Sequence, residues 1–171
     1  KLRPAQYSDY TAIAKLHANS WRQHYRGILS DKYLDNDVEK DRMAIWYERF
    51  KSPAENQVVT IAELDETIAG FCCAFLNVDP VFGSLIDNFH VAMNFQRSGV
   101  GKMLFKETAR MIHDKSDNKK MFLWVFEANK NARVVYERFG GTCVETIDME
   151  NEDKTISRTC RYTWDDVSKI L

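Results

Sequence analysis

The sequence predicts an α+β domain in which helices flank a mixed, mostly antiparallel sheet. Two observations support this class. Apolar residues recur at helical spacing near the N-terminus, whereas later apolar runs are short, rich in β-branched and aromatic residues, and separated by turn residues. With 171 residues, 44% hydrophobic and 29% charged, the chain can form one sizeable core, so we expect a single domain over residues 1–171.

Two helices are predicted before the sheet. Ser8-Asp9 can cap the first one, and its apolar pattern is interrupted near Gly27. The second is predicted over about residues 37–50 and stops at Ser52-Pro53, because a residue that precedes proline disfavours helical backbone. This order, with helices first and strands later, fits an α+β layout.

A hairpin and a strand-helix-strand-helix unit follow. The hairpin strands, residues 57–63 and 67–75, are joined by the short turn Leu64-Asp65-Glu66. The remaining elements alternate between strand and helix patterns and end in two strands. They are predicted at residues 85–93 (strand), 103–113 (helix), 121–126 (strand), the segment after Asn129 (helix), and 142–149 with 155–164 (strands).

The segment Gln96-Arg97-Ser98-Gly99-Val100-Gly101-Lys102 joins a strand pattern to a helix pattern. Glycine has no Cβ to keep a phosphate away, and the unpaired amides at a helix start favour negative charge. We interpret the segment as a turn that binds a pyrophosphate, with a tight turn that binds nothing as the alternative. Met103 after Lys102 excludes a Walker loop, and the absence of a third glycine argues against a Rossmann turn.

Two blocks of this sequence resemble the GNAT superfamily of acetyl-CoA-dependent N-acyltransferases. The glycine turn is similar to that family's Gln-x-x-Gly-x-Gly motif, and Val91 to Gln96 resembles its Val-x-Pro-x-Tyr-Gln lead-in, with Met93 in place of proline. Downstream, Asn129 to Gly141 resembles Asn-x-x-Ala-x-x-x-Tyr-x-x-x-Gly-Phe, with Gly141 in place of the aromatic. The two blocks occur in the family's order, and the resemblance extends over nearly the whole chain.

The resemblance implies the GNAT (acyl-CoA N-acyltransferase) fold with splayed central strands, and direct acetyl transfer to a primary amine in a ternary complex. Acetyl-CoA is then the co-substrate, and no metal is expected. Backbone near Val91 and Met93 would pair with the pantetheine amides, residues Gln96 to Lys102 would hold the diphosphate, and Asn129 would contact the pantetheine arm. A homodimer through the C-terminal strands is one arrangement the family uses, although the sequence defines no oligomeric state.

Amide formation from a thioester requires a base for the amine and a proton for the departing thiolate. The glutamate that many family members carry early on the cofactor strand is Leu85 here. Side-chain alternation groups Leu85, Asp87, Phe89 and Val91 on one face, which makes Asp87 our candidate base. His90 belongs to the opposite face and is the second candidate, because a bulge would change that face. A purely structural hydrogen-bonding role for Asp87 is the alternative.

Tyr136 is the candidate general acid. It matches the family tyrosine that protonates the thiolate of CoA, and it lies seven residues after Asn129, about two helical turns away on nearly the same face. An ordinary core aromatic is the alternative interpretation.

The acceptor amine is not defined by the sequence. We expect Trp21 and Tyr25 on the first helix, together with the loop Asn77 to Ser84, to line a pocket for a small-molecule or peptide amine. Core packing explains Trp21 equally well. Leu85 in place of glutamate leaves open a catalytically weak or inactive acyl-CoA-binding module of the same fold, and a third hypothesis is a nucleotide-binding or structural domain.

Charge and composition disfavour several other classes. A net charge of −1 and a pI near 6.5 give no electrostatic footprint for nucleic acid or an anionic membrane. No apolar run approaches the roughly 20 residues of a membrane span, and no leader is visible at Lys1 to Pro4, so we expect a cytoplasmic protein. The four cysteines lack metal-ligand spacing, and we expect reduced, buried thiols without a catalytic role.

Overall fold

A computed structural model describes residues 1–171 and contains seven strands and five α-helices. The strands are β1 (Leu2–Pro4), β2 (Gln57–Leu64), β3 (Thr67–Asp79), β4 (Gly83–Val91), β5 (Met121–Phe126), β6 (Thr142–Glu150) and β7 (Ile156–Trp164). The helices are α1 (Tyr10–His24), α2 (Asp31–Asn36), α3 (Val38–Lys51), α4 (Val100–Lys115) and α5 (Lys130–Arg138).

The strands form one mixed sheet in the order β1-β2-β3-β4-β5-β7-β6. Only β4 and β5 pair in parallel, since α4 connects them as a crossover helix, and every other neighbouring pair is antiparallel. The predicted α+β class and its mostly antiparallel sheet are confirmed.

Apolar side chains fill a core on each face of the sheet. On one face, Ile13 of α1 and Trp46 of α3 pack against Phe71 of β3, and all three are fully buried. On the other face, Phe105 of α4 packs with Leu123 of β5 in the largest buried cluster. Burial of a large apolar side chain stabilises a fold by about 1.5–3 kcal/mol, so these two layers fix the sheet between its helices.

The predicted hairpin is present with longer strands. Its two turn residues, Asp65 and Glu66, have φ values of 47° and 62°, and two positive φ values are what a two-residue type I′ turn requires. Strand β3 runs to Asp79, so residues 77–79 of the expected loop are strand. Two short elements, β1 and α2, were not predicted, because elements of three and six residues carry too little periodic pattern.

A β-bulge interrupts β4 at Asp87. Cys73 of β3 faces Asn88 and the next residue, Ala74, faces Ile86, which leaves Asp87 without a partner. The extra residue changes the side-chain alternation. The prediction that Asp87 shares a face with Phe89 is therefore wrong. Phe89 packs against Phe105 of α4, whereas Asp87 contacts α3.

The central strands splay directly after three paired positions. Ser84, Leu85 and Ile86 of β4 face residues 121–123 of β5, and no pairing continues beyond them. The bulge begins at the next residue, and from there β4 stays with β3 while β5 stays with β7. The splayed central strands implied by the resemblance are present.

Candidate active site

A cleft of about 960 Å³ occupies the gap between β4 and β5. Its walls come from the end of α1, the second half of β4, the start of α4, strand β5, helix α5 and the end of β6. The volume is within the range of small-molecule sites, about 300–1,000 Å³. The splay thus produces an open groove through the middle of the sheet.

The glycine turn forms one end of this cleft. Gly99 has φ of 88°, a left-handed conformation that glycine adopts without strain, and it directly precedes Val100, the first residue of α4. The backbone N–H groups from Arg97 to Lys102 donate no hydrogen bond within the protein. The α4 N-terminus therefore presents free amides with a positive dipole end, which is a suitable site for an anion.

The residues predicted to bind the cofactor are placed unevenly around the cleft. Val91, Gln96, Arg97, Gly101 and Asn129 line it, whereas the others lie beside it along the turn. Met93 is 64% exposed within a 3₁₀ turn after β4, and Val100 is buried against the sheet. The predicted residues that do not line the cleft are Met93, Ser98, Gly99, Val100 and Lys102.

Asn129 is the N-cap of α5. Its side-chain oxygen accepts a hydrogen bond of 3.3 Å from the backbone N–H of Ala132. This contact holds the start of α5 against the cleft, so Asn129 has a structural task whether or not it contacts a ligand.

Tyr136 projects from α5 into the same cleft. Its ring packs between Phe89 and Phe105, with ring centroids 6.3 and 6.4 Å away, and its hydroxyl makes no hydrogen bond. Burial, with smaller contributions from Tyr25 and Cys72, raises the pKa of Tyr136 well above the ordinary value. A hydroxyl in this position stays protonated at neutral pH and has its proton available.

Asp87 lies on the opposite wall of the cleft and forms an ion pair with Arg49 of α3. The distance from Arg49 Nη2 to Asp87 Oδ2 is 2.7 Å, and Arg49 Nη1 donates a hydrogen bond of 2.9 Å to Asn88. The second carboxylate oxygen, Oδ1, makes no hydrogen bond. Asp87 therefore presents a carboxylate with one free oxygen at the edge of the cleft.

His90 lies on the same side of β4 as Asp87, because the bulge intervenes. Its Nδ1 is 2.8 Å from Ser20 Oγ, and its ring packs 4.5 Å from the ring of His17. Burial, aided by nearby His24 and Arg42, lowers the pKa of His90 to about 3. The objection to His90 that rested on strand alternation is thus removed, although the ring is a weak proton acceptor.

Comparison with known proteins identifies the family of this chain. Residues 15–141 match the Acetyltransferase (GNAT) family. The chain belongs to the GNAT acetyltransferases. A Mycobacterium tuberculosis protein named "Probable N-acetyltransferase Rv2775" is 29% identical over 141 residues, which are 81% of this chain and 77% of that protein.

Two solved structures show the same fold at low sequence identity. PaiA N-acetyltransferase from Thermoplasma acidophilum, in complex with coenzyme A, has a TM-score of 0.73 and 15% identity, with coverage of 96% of this chain and 98% of that one. A GCN5-related N-acetyltransferase from Rhodopseudomonas palustris has a TM-score of 0.75 and 16% identity, with coverage of 96% and 94%. The chain is thus a GNAT N-acetyltransferase, a family that uses acetyl-CoA and amine acceptors.

The wall of this GNAT cleft beside α1 is rich in aromatic side chains. Trp21 and Tyr25 of α1 both line it, with ring centroids 5.4 Å apart, and Tyr25 packs edge-on against Phe126 of β5 at 4.9 Å. Trp21 is mostly buried, with the guanidinium of Arg42 4.3 Å above its ring. Residues 77–84 do not line the cleft, so the expected contribution of that loop is wrong.

The four cysteines lie outside the GNAT cleft. Cys72, Cys73 and Cys160 are buried, as predicted, but Cys143 is exposed on the edge strand β6. Burial raises the pKa of Cys72 to about 12, so its thiol stays protonated at neutral pH. None of the helices is both long and apolar enough to span a bilayer.

Three functional contacts escaped the sequence analysis. Arg49, the partner of Asp87, lies in a helix with many charged residues, and nothing in its spacing sets it apart. Ser20 lies in a polar part of α1, and nothing in the sequence links it to β4. The hairpin tip after β6 contributes Asn151 and Glu152 to the cleft, and long-range contacts hold it there: Glu152 forms an ion pair with Arg42 of α3, and Asp153 accepts a hydrogen bond from the backbone N–H of Ser30. The sequence does contain polar residues in α1, α3 and β4, and treating them as possible partners of one another would have suggested the contacts of Ser20 and Arg49.

Proposed function

We propose that this GNAT enzyme transfers an acetyl group from acetyl-CoA directly to a primary amine while both substrates are bound. The chain, residues 1–171, acts as one catalytic domain. The observation that carries this proposal is the pairing, in one cleft, of free α4 amides at one end with the unpartnered Tyr136 hydroxyl in the middle. A protein that only bound an anion at the α4 amides would not need a proton donor such as Tyr136 in the same cleft.

The residues present suit coenzyme A. The free amides from Arg97 to Lys102 would hold the diphosphate, and the open edges of β4 near Val91 and Met93 would pair with the pantetheine amides as an added strand would. Asn129 lies where β5 leads into α5 and would contact the pantetheine arm. Acetyl-CoA supplies an activated acyl thioester.

Tyr136 is the proposed general acid. It gives its proton to the CoA sulfur as the carbon–sulfur bond breaks, and its raised pKa keeps that proton in place until then. The apolar rings around it exclude water from the departing thiolate. Because the hydroxyl has no partner in the protein, it is free to turn toward the sulfur.

Asp87 is the proposed base. The amine nitrogen loses a proton as it bonds to the acetyl carbon, and the free Oδ1 of Asp87 accepts it directly or through a water. Arg49 keeps the carboxylate in place through the other oxygen. His90, the second candidate, has a pKa lowered to about 3 by burial, so its ring is neutral over the physiological range and is a weak proton acceptor.

The proposed acceptor is a small-molecule or peptide amine that enters beside α1. Trp21 and Tyr25 present aromatic surface there, which suits the alkyl chain and the cation of an amine. The inactive binding module is the competing function, favoured only by Leu85 at the family's glutamate position. The presence of Asp87 in the cleft supports turnover instead.

Two measurements test this proposal. A thermal-shift titration with acetyl-CoA should stabilise the protein, by about 2.7 kcal/mol at a hundredfold excess over the dissociation constant. Thiol release in the presence of a panel of small amines and peptides should then identify acceptors. Stabilisation without thiol release from any amine would support the binding module, and no stabilisation would contradict both functions.

A further inference from the structure

A hydrogen bond between α1 and β4 lies at the wall of the cleft. Ser20 Oγ and His90 Nδ1 are 2.8 Å apart, and both residues line the cleft. The other ring nitrogen, His90 Nε2, has no hydrogen-bond partner in the protein. The imidazole is thus tied at one nitrogen and free at the other.

The direction of this hydrogen bond follows from counting protons. The Ser20 hydroxyl has one proton, and His90 Nδ1 is the only protein acceptor within hydrogen-bonding distance. If Nδ1 carried the ring proton, the serine would accept it and its own proton would have no partner in the protein. The arrangement in which Ser20 donates leaves the ring proton on Nε2.

The surroundings keep this ring neutral. His17 and His24 of α1 and Arg42 of α3 are the titratable or charged groups that face it, and Phe71 covers it from β3. His17 accepts a hydrogen bond of 3.0 Å from the indole N–H of Trp46 at Nδ1, so it too is neutral, with its proton on Nε2. Neither histidine has a carboxylate partner that would favour an imidazolium.

We propose that Ser20 sets the tautomer of His90, so that His90 Nε2–H donates a hydrogen bond to the acetyl oxygen while negative charge develops there. This role rests on the proposed acetyl transfer and completes it, since Asp87 and Tyr136 handle protons but neither stabilises the oxyanion. Ser20 is a positioning residue. The Nε2 proton stays on the ring throughout, so the step needs no other reactant.

A neutral imidazole is well suited to this task. Its low pKa makes it a poor base, but the neutral ring can donate a hydrogen bond from Nε2 at physiological pH. Triosephosphate isomerase uses the same chemistry, in which a neutral histidine with a lowered pKa polarises a carbonyl. A donor held in place by a second hydrogen bond is preorganised and needs no rearrangement during the reaction.

The tautomer can be measured without any substrate. In ¹⁵N-labelled free protein at pH 7, two-bond ¹H–¹⁵N correlations of the His90 ring should show a protonated Nε2 and an unprotonated Nδ1, with the signal assigned by its loss in His90→Gln. In Ser20→Ala the Nδ1–H form should become populated, and Ser20→Thr should restore the parent pattern. A protonated Nδ1 in the parent, or no change in Ser20→Ala, would overturn the proposal.

Kinetics separate a donor from a base at His90. Glutamine can donate a hydrogen bond but cannot take up a proton, so His90→Gln should retain much more activity than His90→Phe, whose kcat should fall about 100-fold. Both variants should keep the KM for acetyl-CoA and the shape of the pH–rate profile. Equal losses in the two variants, together with loss of the rising limb, would make His90 the base and refute the donor role.

Ser20→Ala should lower kcat at constant KM for acetyl-CoA, and Ser20→Thr should recover it. Gln23→Ala is the matched control, because Gln23 is exposed on the same helix, makes no side-chain hydrogen bond and does not line the cleft. If the parent transfers acetyl to no amine, the proposed function fails, whereas the tautomer measurement still decides what Ser20 does. If the parent is active and these variants match it, only this inference fails.

Discussion

Arg49 and Asp87 connect helix α3 to the bulge in β4 through an ion pair of 2.7 Å. The same guanidinium also binds Asn88, the residue after the bulge, and it lies over the rings of Trp46 and Phe75. Arg49 therefore holds two consecutive side chains on one side of the sheet. This contact stabilises an irregular strand at the place where β4 leaves β5.

Replacement of Asp87 tests the base. Asp87→Asn keeps a hydrogen bond to Arg49 but cannot accept a proton, so we expect kcat to fall about 100-fold or more and the rise in rate with pH to disappear. Steady-state kinetics across pH would measure both effects. Asp165→Asn is the control, because Asp165 is exposed and makes no ion pair. A profile like that of the parent would assign proton removal to a water or to an amine that arrives neutral.

Replacement of Tyr136 tests the acid. Tyr136→Phe removes a hydroxyl that has no hydrogen bond in the protein, so acetyl-CoA affinity and thermal stability should change little while kcat falls about 100-fold. Calorimetric titration and steady-state kinetics would separate these quantities. Tyr47→Phe, in the ring cluster with Tyr7 and Tyr10, should behave as the parent. Unchanged turnover in Tyr136→Phe would remove Tyr136 from the mechanism.

Two glycines with the same backbone conformation test the phosphate turn. Gly99 and Gly140 have φ values of 88° and 86°, and a Cβ at either would have no atom within 4 Å. Glutamate at each position carries a similar strain of about 1–2 kcal/mol. Only Gly99→Glu should weaken acetyl-CoA binding, because its carboxylate would lie beside the free backbone N–H groups that are proposed to bind the diphosphate. Equal affinity of Gly99→Glu and Gly140→Glu would show that the turn does not bind the diphosphate.

The half-buried His90, whose pKa is lowered, predicts how stability varies with pH. Its pKa is about 3 in the folded protein and about 6.5 unfolded, so between these values the unfolded chain binds the additional proton. The contribution of His90 to the free energy of unfolding is therefore complete above about pH 6.5. It decreases as the pH falls, by at most about 1.4 kcal/mol per pH unit. Urea unfolding from pH 7 to about pH 4.5 should show a shallower decrease for His90→Gln. Identical slopes would mean that His90 is not buried as described.

Much of the fold was predictable because its signals are local. The glycine turn, the strand before it and the helix after it follow from residues 85–113, and the Asp65-Glu66 hairpin follows from the length of its turn. The place of Tyr136 in the cleft was predictable too, since Tyr136 belongs to α5, Asn129 is the N-cap of that helix, and their spacing fixes their common side. These features depend on residues that are close in the sequence.

The bulge was not predictable in the same way. Nothing in the residue sequence of β4 distinguishes Asp87 from a regular strand residue. The irregularity arises in the register between β3 and β4 and in the contact of Asp87 with Arg49, which lies 38 positions earlier. The side of the sheet taken by His90 and its bond to Ser20 depend on that register. Long-range pairing therefore decided which polar groups meet in the cleft.

The single extra residue at the bulge in β4 sets the side of the sheet on which the later side chains of the strand lie. If the same residues formed a regular strand without the bulge, each side chain after Asp87 would lie on the other side of the sheet, and the imidazole of His90 would exchange sides with the ring of Phe89. The position of the bulge therefore decides that His90 faces α1 while Phe89 faces α4.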